Sequence, residues 1–397
     1  MTSRPIFIAA TKQHVGKTSV SLAMVSGLKK RFAKVGFIKP VGQEHVLVKT
    51  SEGIEFKVDK DVKLIREHFG LHHVNYKNMS PVIIPKGYTK SFIDGKVDKK
   101  AQMGKILDSF NETAAASDVM LIEGTGHVGV GACVQASNAI VANAVKADMI
   151  LVANGGIGSA FDELSINYEM CRAHNVRLAG VVLNKVNPEK LEEVKKYMGA
   201  LLKDQWNVPL LGVVPDKTFL GCPALADLER LFNTTMISGE EHRMRHYNVS
   251  QINLITTSLG RFLENLRNKP SRTLFVTHVT RNDIILAFMA EHHRSSAMGQ
   301  PTESALIICG RDKYELFPEI EDMIKSSQAP IMHVKMSTWP VMSKIADFTP
   351  KLNIDDTHRV DEAVAWYEKH INFDELLRRT SSRDSSFDDP DSLPMRQ

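Results

Sequence analysis

From residue 1 to about 230 the chain alternates short apolar runs with longer stretches whose apolar residues recur at helical spacing. The runs Ile6–Ala9, Val35–Ile38, Val119–Ile122, Met149–Ala153, Ala179–Leu183 and Leu210–Val214 are apolar at consecutive positions, as expected of parallel strands covered on both faces. Val20–Lys30 and Leu191–Leu202, the latter preceded by Pro188-Glu189, carry helical patterns. Such alternation predicts a doubly wound α/β domain with a mostly parallel sheet, whose ligands bind beyond the carboxyl ends of the strands. A second, smaller α/β domain is predicted from Thr273: strand Leu274–Val276, a turn to Asn282, helix Asp283–Glu291, strands Ser304–Cys309 and Ile331–Val334, and a closing helix from about Val360 to Leu377. Residues 233–270 between them read as a helical connector, with Glu240–Met244 and Ile252–Asn268 as its helices. The predicted boundaries are therefore 1–232, 233–270, 271–377 and a disordered, Ser-, Asp- and Arg-rich tail at 378–397.

The polar residues worth attention follow the predicted strands. Ala10-Thr11-Lys12-Gln13-His14-Val15-Gly16-Lys17-Thr18-Ser19 lies between the first strand and the first helix. A strand, a tight loop ending in Gly-Lys-Thr and a helix form a phosphate cradle, in which backbone N–H groups and the positive helix end face phosphate oxygens. Gly16 lets the backbone come close, Lys17 brings a charge to the outer phosphates, and the Thr18 hydroxyl is placed to ligate Mg²⁺. Lys12, Gln13, His14, Val15 and Ser19 complete the nucleotide-contacting loop. Lys39-Pro40-Val41, Glu123-Gly124-Thr125-Gly126 and Asn184-Lys185 follow the second, third and fifth strands and converge where the loop points. Glu123 suits Mg²⁺, and proline holds Lys39 in an extended, rigid position. His127, His278 and the pair His72-His73 read as surface residues, because adjacent rings on a regular element point apart. The stretch Arg378–Ser382 offers hydroxyls beside arginines as a phosphate-acceptor site.

Composition narrows the classes. The 397 residues suffice for two domains, and 50 basic against 46 acidic residues give a formal charge of +4 with no basic stripe. Nucleic acid is thus an unexpected partner. Four cysteines lie far apart with no C-x-x-C pair, which argues against a disulfide framework or a zinc site. Only Met1 to Pro5 precede the first strand and no apolar run reaches membrane-spanning length, so a cytoplasmic protein with no membrane contact is expected.

Together these residues resemble the dethiobiotin-synthetase-like, P-loop ATP-binding region at the amino end of long phosphotransacetylases, a group that includes cobyrinic acid diamide synthase-like proteins. The lengthened phosphate loop of the synthetase matches here when Ala10 replaces its first glycine; a left-handed backbone at that alanine would cost about 1 kcal/mol. Gly36–Val41 is similar to the synthetase strand ending in Lys-Pro-Val, which implies that Lys39 faces phosphates and a carboxylate substrate. Leu121–Gly126 is similar to the segment whose glutamate binds Mg²⁺, which implies that role for Glu123. Gly180–Asn184 is similar to the strand whose terminal asparagine meets adenine, here Asn184. Asp61 fits a second magnesium-binding aspartate, with Asp59 as an alternative register. Ser80–Gly95, with Pro85, Lys86 and Lys90, stands where the substrate loop would be and departs from its sequence. Lys12 falls where dimeric partition and division ATPases carry a second lysine that reaches the partner's nucleotide, which implies a homo-oligomer. Residues 237–340 resemble the DRTGG domain, through Thr280-Arg281-Asn282-Asp283-Ile284-Ile285-Leu286.

Two functions are compatible with this. One is a nucleotide-responsive regulator or sensor that binds ATP and Mg²⁺, with room for a second small anionic ligand. The other is an ATP-dependent ligase that activates a carboxylate, with Lys17 and Lys39 as its catalytic lysines and Thr18, Glu123 and Asp61 holding the metal.

Overall fold

The computed structural model describes residues 5–49, 53, 55–268, 272–310 and 316–381. The chain forms two compact units, one of residues 1–216 with 352–397 and one of residues 217–351.

In the first unit all six apolar runs become strands: β1 Ile6–Ala10, β2 Val35–Ile38, β3 Val119–His127, β4 Asp148–Asn154, β5 Leu178–Val186 and β6 Leu210–Pro215. They pair in parallel in the order β6-β5-β4-β1-β3-β2. The chain leaves β1 toward β2 on one side and later places β4 on the other, so the strand order reverses at β1, the position where open α/β sheets bind their ligands. Helix α1 (Lys17–Lys29) starts there. Helices α2 (Lys60–Phe69), α3 (Lys99–Ala115), α4 (Asn138–Ala144), α5 (Gly158–Ala173) and α6 (Leu191–Trp206) follow. One face of the sheet buries Phe7, Ile38, Ile122, Leu151 and Leu183 in a continuous core. β3 and β5 run past their apolar stretches, so Glu123 and Asn184 lie within strands, the consequence of a register that pairs Ile8 with Glu123 and Asn154 with Asn184. A hairpin of His45–Lys49 and Glu55–Asp59, which the apolar pattern does not announce, leads into α2.

The second unit holds a five-stranded sheet of β7 (Met236–Ser238), β8 (Ile252–Leu254), β9 (Leu274–His278), β10 (Ala305–Cys309) and β11 (Ile331–Val334), in the order β7-β11-β10-β9-β8. All neighbours are parallel except β7 and β11. Its helices are α7 (Leu225–Phe232), α8 (Leu259–Asn268), α9 (Asn282–Ala297), α10 (Pro318–Lys325) and α11 (Thr338–Ala346).

Three expectations are corrected. The unit boundary falls at residue 217, and residues 233–270 belong to the second unit instead of connecting two: the predicted helical stretch holds at Leu259–Asn268 (α8), while Met236–Ser238 and Ile252–Leu254 pair with β11 and β9 as the two edge strands of its sheet. The predicted closing helix is two helices, α12 (Thr357–Glu368) and α13 (Phe373–Arg379), and both belong to the first unit. Between them Ile371 bridges Gly212 of β6, and Asn372 N–H donates to the Leu211 carbonyl at 2.7 Å, which covers that sheet's outer edge. Residues 378–381 are ordered as well. Arg177 donates to the Arg379 carbonyl (2.7 Å), and buried Thr380 donates its hydroxyl to the Leu376 carbonyl, so Thr380 is no exposed phosphate acceptor. Residues 382–397 lie outside the described residues. Among the described residues no helix is long and apolar enough to cross a membrane.

Candidate functional site

The loop between β1 and α1 curves over the carboxyl end of the sheet, with Lys12, Gln13 and His14 exposed and Val15 buried. Gly16 takes the left-handed backbone (φ 89°) directly before α1, and a Cβ there would sit 2.2 Å from Asn184 Nδ2. Glycine is required at this position on both counts. Ala10 lies in β1 outside the left-handed region, so its replacement of glycine carries no backbone strain. His14 does adopt a positive φ of 61°, and its carbonyl accepts from Lys185 Nζ at 2.9 Å. Asn184, on β5 beneath the loop, donates to the Val15 carbonyl at 2.7 Å and accepts from Lys185 N–H at 2.8 Å. In a trans peptide the carbonyl and the following N–H point in opposite directions, so this bond turns the Gly16 N–H away from Asn184.

Charged groups meet at the start of α1. Lys17 Nζ donates to Glu123 Oε1 at 2.5 Å, and the Thr18 hydroxyl donates to the same oxygen at 3.4 Å. Lys39, held after β2 by its N–H to the Met79 carbonyl (2.8 Å), donates to Asp59 Oδ1 at 2.9 Å and to Asp61 Oδ2, and stands 3.8 Å from Glu123. Asp59 caps α2, its carboxylate accepting from Asp61 N–H at 3.0 Å while its own N–H donates to the Ser80 hydroxyl. Both aspartates therefore stand at Lys39, beside Glu123.

The cluster is buried, and its ionisation reflects that. Burial alone would discharge Lys39, but Asp61, Glu123 and Asp59 outweigh it and hold the ammonium well above the ordinary lysine range. Burial would likewise raise the Asp61 pKa, yet Lys39 and then Lys17 keep it well below the usual carboxylate range. At Asp59 burial prevails over the attraction of Lys39, and the pKa rises. Asp59 Oδ2 and Glu123 Oε2 are buried and have no hydrogen-bond partner among the described residues. An orphaned carboxylate oxygen costs stability unless something binds it. A hydroxyl and a carboxylate side by side are hard oxygen donors of the kind that suit Mg²⁺. Gly124, next in β3, leaves space for the Asn138 side chain, which would lie 2.6 Å from a Cβ there and holds Thr125 and His127 through their backbones.

Other candidates lie apart from this cluster or are engaged elsewhere. Lys12 donates to Glu163 Oε1 at 2.6 Å, and Thr11 donates to the other oxygen of that carboxylate. His72, His73 and His127 are exposed, as are Lys86 and Lys90 in the 80–95 segment. The residue that sequence reasoning missed is Tyr367 of α12. Its side chain is buried, and its hydroxyl lies 3.4 Å from where a Gly16 Cβ would be. No local pattern could have found it, since it comes from beyond the inserted second unit.

A family model described as AAA domain matches residues 4–224, and one described as DRTGG domain matches residues 227–348. The chain is 23% identical to phosphate acetyltransferase of Escherichia coli (strain K12) across 98% of this chain and 54% of that protein. It is 25% identical to phosphate acetyltransferase of Nitrosomonas europaea, across 94% of this chain and 51% of the relative. It thus spans about half the length of these curated relatives. Among solved structures, the MinD cell division protein of Aquifex aeolicus is similar at 14% identity and a TM-score of 0.31, covering 54% of this chain and 84% of that one. The sequence-level resemblance to the amino-terminal region of phosphotransacetylases, with a DRTGG domain after a P-loop domain, agrees with the family and relative matches.

Proposed function

The chain belongs to the AAA domain family, with a DRTGG domain following, and from that premise we propose that it is a nucleotide-responsive regulatory protein that binds ATP with Mg²⁺. The observation that carries this reading is the meeting of Lys17, Thr18 and Glu123 at the start of α1, with Glu123 Oε2 buried and unsatisfied. Loop N–H groups and the amino end of α1 suit a polyphosphate, and Lys17 would exchange Glu123 for its outer oxygens. Thr18 and Glu123 would hold Mg²⁺, which neutralises charge on the phosphates when bound. Asp61, committed to Lys39, would act on the ion from further out. Asn184 would brace the loop from below.

A second reading, carboxylate activation at the expense of ATP, needs Lys39 to meet an incoming carboxylate. Lys39 is instead saturated by three carboxylates of its own chain, which favours the regulatory reading. The test uses the full chain. ATP with Mg²⁺ should raise its melting temperature, and Lys17→Ala should abolish most of that shift through a loss of about 2 kcal/mol or more in binding. Equal shifts in both proteins overturn the proposal. ADP release above about 0.1 s⁻¹ that depends on an added mono- or dicarboxylate would establish the second reading in its place.

A further inference from the structure

In the second unit His242, Arg245, Thr302, Ser295 and His292 close a ring of contacts that ties the segment after β7 to α9. Arg245 Nη2 lies 3.0 Å from His242 Nδ1, and Arg245 Nη1 donates to the Thr302 carbonyl at 3.5 Å. Thr302 N–H donates to the Ser295 hydroxyl at 3.3 Å, and that hydroxyl donates to the His292 carbonyl at 3.0 Å. The His292 and His242 rings then meet edge to face, their centroids 5.9 Å apart. A guanidinium offers only N–H groups, so His242 Nδ1 is the acceptor and carries no proton. His292 is 6% exposed, and its Nε2 is buried with no hydrogen-bond partner among the described residues. Both rings are therefore built in as neutral imidazoles.

We propose that His242 and His292 form an acid-released latch: neutral, they hold residues 239–247 against α9, and charged, they let that segment go. A proton on His242 Nδ1 sets donor against donor at Arg245. A proton on His292 leaves a desolvated charge beside His242. Acids that could compensate are exposed or engaged. Glu241 Oε1 stands 3.6 Å from His242 Nε2 but is 53% exposed, and Glu303 pairs with Arg272. Glu291 of α9 is held by Arg294 and by Arg267 of α8. Burial is the first cause that lowers both imidazoles from the usual 6.5. Arg245 adds to it at His242, and His242, Arg245 and His293 add to it at His292, with Glu241 opposing at both. The closed pair thus takes up protons less readily than the open one. Its hold is complete above about pH 6.5 and weakens as pH falls below that value. The same segment supports α7, because the Arg245 and Arg243 carbonyls accept from Leu225 and Ala226 N–H at 3.2 and 2.9 Å. Release therefore reaches the start of α7, so acid loosens one defined part of the second unit.

Hydrogen exchange of the full chain at about pH 7.5 and about pH 5.5, corrected for the intrinsic pH dependence of exchange, tests this. Peptides covering 239–247 and 224–230 should open about tenfold more readily in acid, the factor for one imidazole kept neutral when closed and free to charge when open. Peptides from β9 and β10 should stay within about twofold. His242→Asn keeps an acceptor oxygen for Arg245, His292→Phe keeps a ring in the packing, and neither new side chain titrates. Each should cut the acid response about threefold or more, and the two together should hold it within about twofold. If one variant does not fold, the other decides. Unchanged exchange of the wild-type segment between the two pH values overturns the proposal. So does an equal rise in all peptides of the second unit, or a full acid response in either variant. None of these readings depends on nucleotide binding by the first unit.

Discussion

Both units bury carboxylates, but on opposite terms. In the first, Glu123, Asp59 and Asp61 are paired with Lys39, whose side chain is itself only 8% exposed, at the carboxyl ends of strands where the order reverses. In the second, Glu291 is buried while its partners Arg267 and Arg294 are each 50% exposed, and buried Glu229 meets Arg243 at 54%. Those arginines stay about half in water, so the pairs resemble ordinary surface ion pairs seen from the inner side. The strands β8 to β11 also succeed one another in a single direction, which opens no crevice of the kind beside β1. Buried charge alone therefore does not mark a site. What marks it is burial of both signs together, at a switch point, with carboxylate oxygens left unsatisfied.

The sharpest way to break the comparison is to remove the buried cation. Lys39→Met leaves two aspartates facing each other without compensation, and should destabilise the first unit by about 3–5 kcal/mol in urea unfolding. A loss under about 1 kcal/mol would put this cluster on the same footing as the pairs of the second unit. Next in size is Gly16→Ala, which forces a side chain into a left-handed backbone and against Asn184 Nδ2. It should cost about 2–3 kcal/mol, read as a lowered melting temperature. The smallest effect belongs to the second unit. Hydrogen bonds from Arg294, against the opposing pull of burial, and further bonds from Arg267 bring the Glu291 pKa down to about 2 from 4.5. A depressed carboxylate stabilises the fold above its unfolded value, and that contribution disappears as pH falls from about 4.5 to about 2, where the unfolded chain binds the proton first. Glu291→Gln should thus cost about 1 kcal/mol near pH 7, since the arginines are half in water, and nothing near pH 2. A difference between the two proteins that persists in acid would refute the assignment.

The chain's own pattern determined a good deal. Six doubly apolar runs were bound to become one covered parallel sheet, because no other arrangement buries both faces of each. Gly16-Lys17-Thr18 after the first of them specified the loop and helix start, and Glu123 at the end of a neighbouring run could be named because strand ends collect at one edge. These signals are local in sequence or follow from strand period. The strands His45–Lys49 and Glu55–Asp59 escaped, since each is short and mostly exposed, and β7 and β8 escaped because three residues at a sheet edge are too few to show a period. The tertiary structure alone decided that Lys39 is claimed by Asp59 and Asp61, that Asn184 holds the loop's backbone, and that Tyr367 arrives from the far side of an inserted unit. Such contacts join residues separated by 20 to more than 150 positions, and only the packing of whole elements sets their distance.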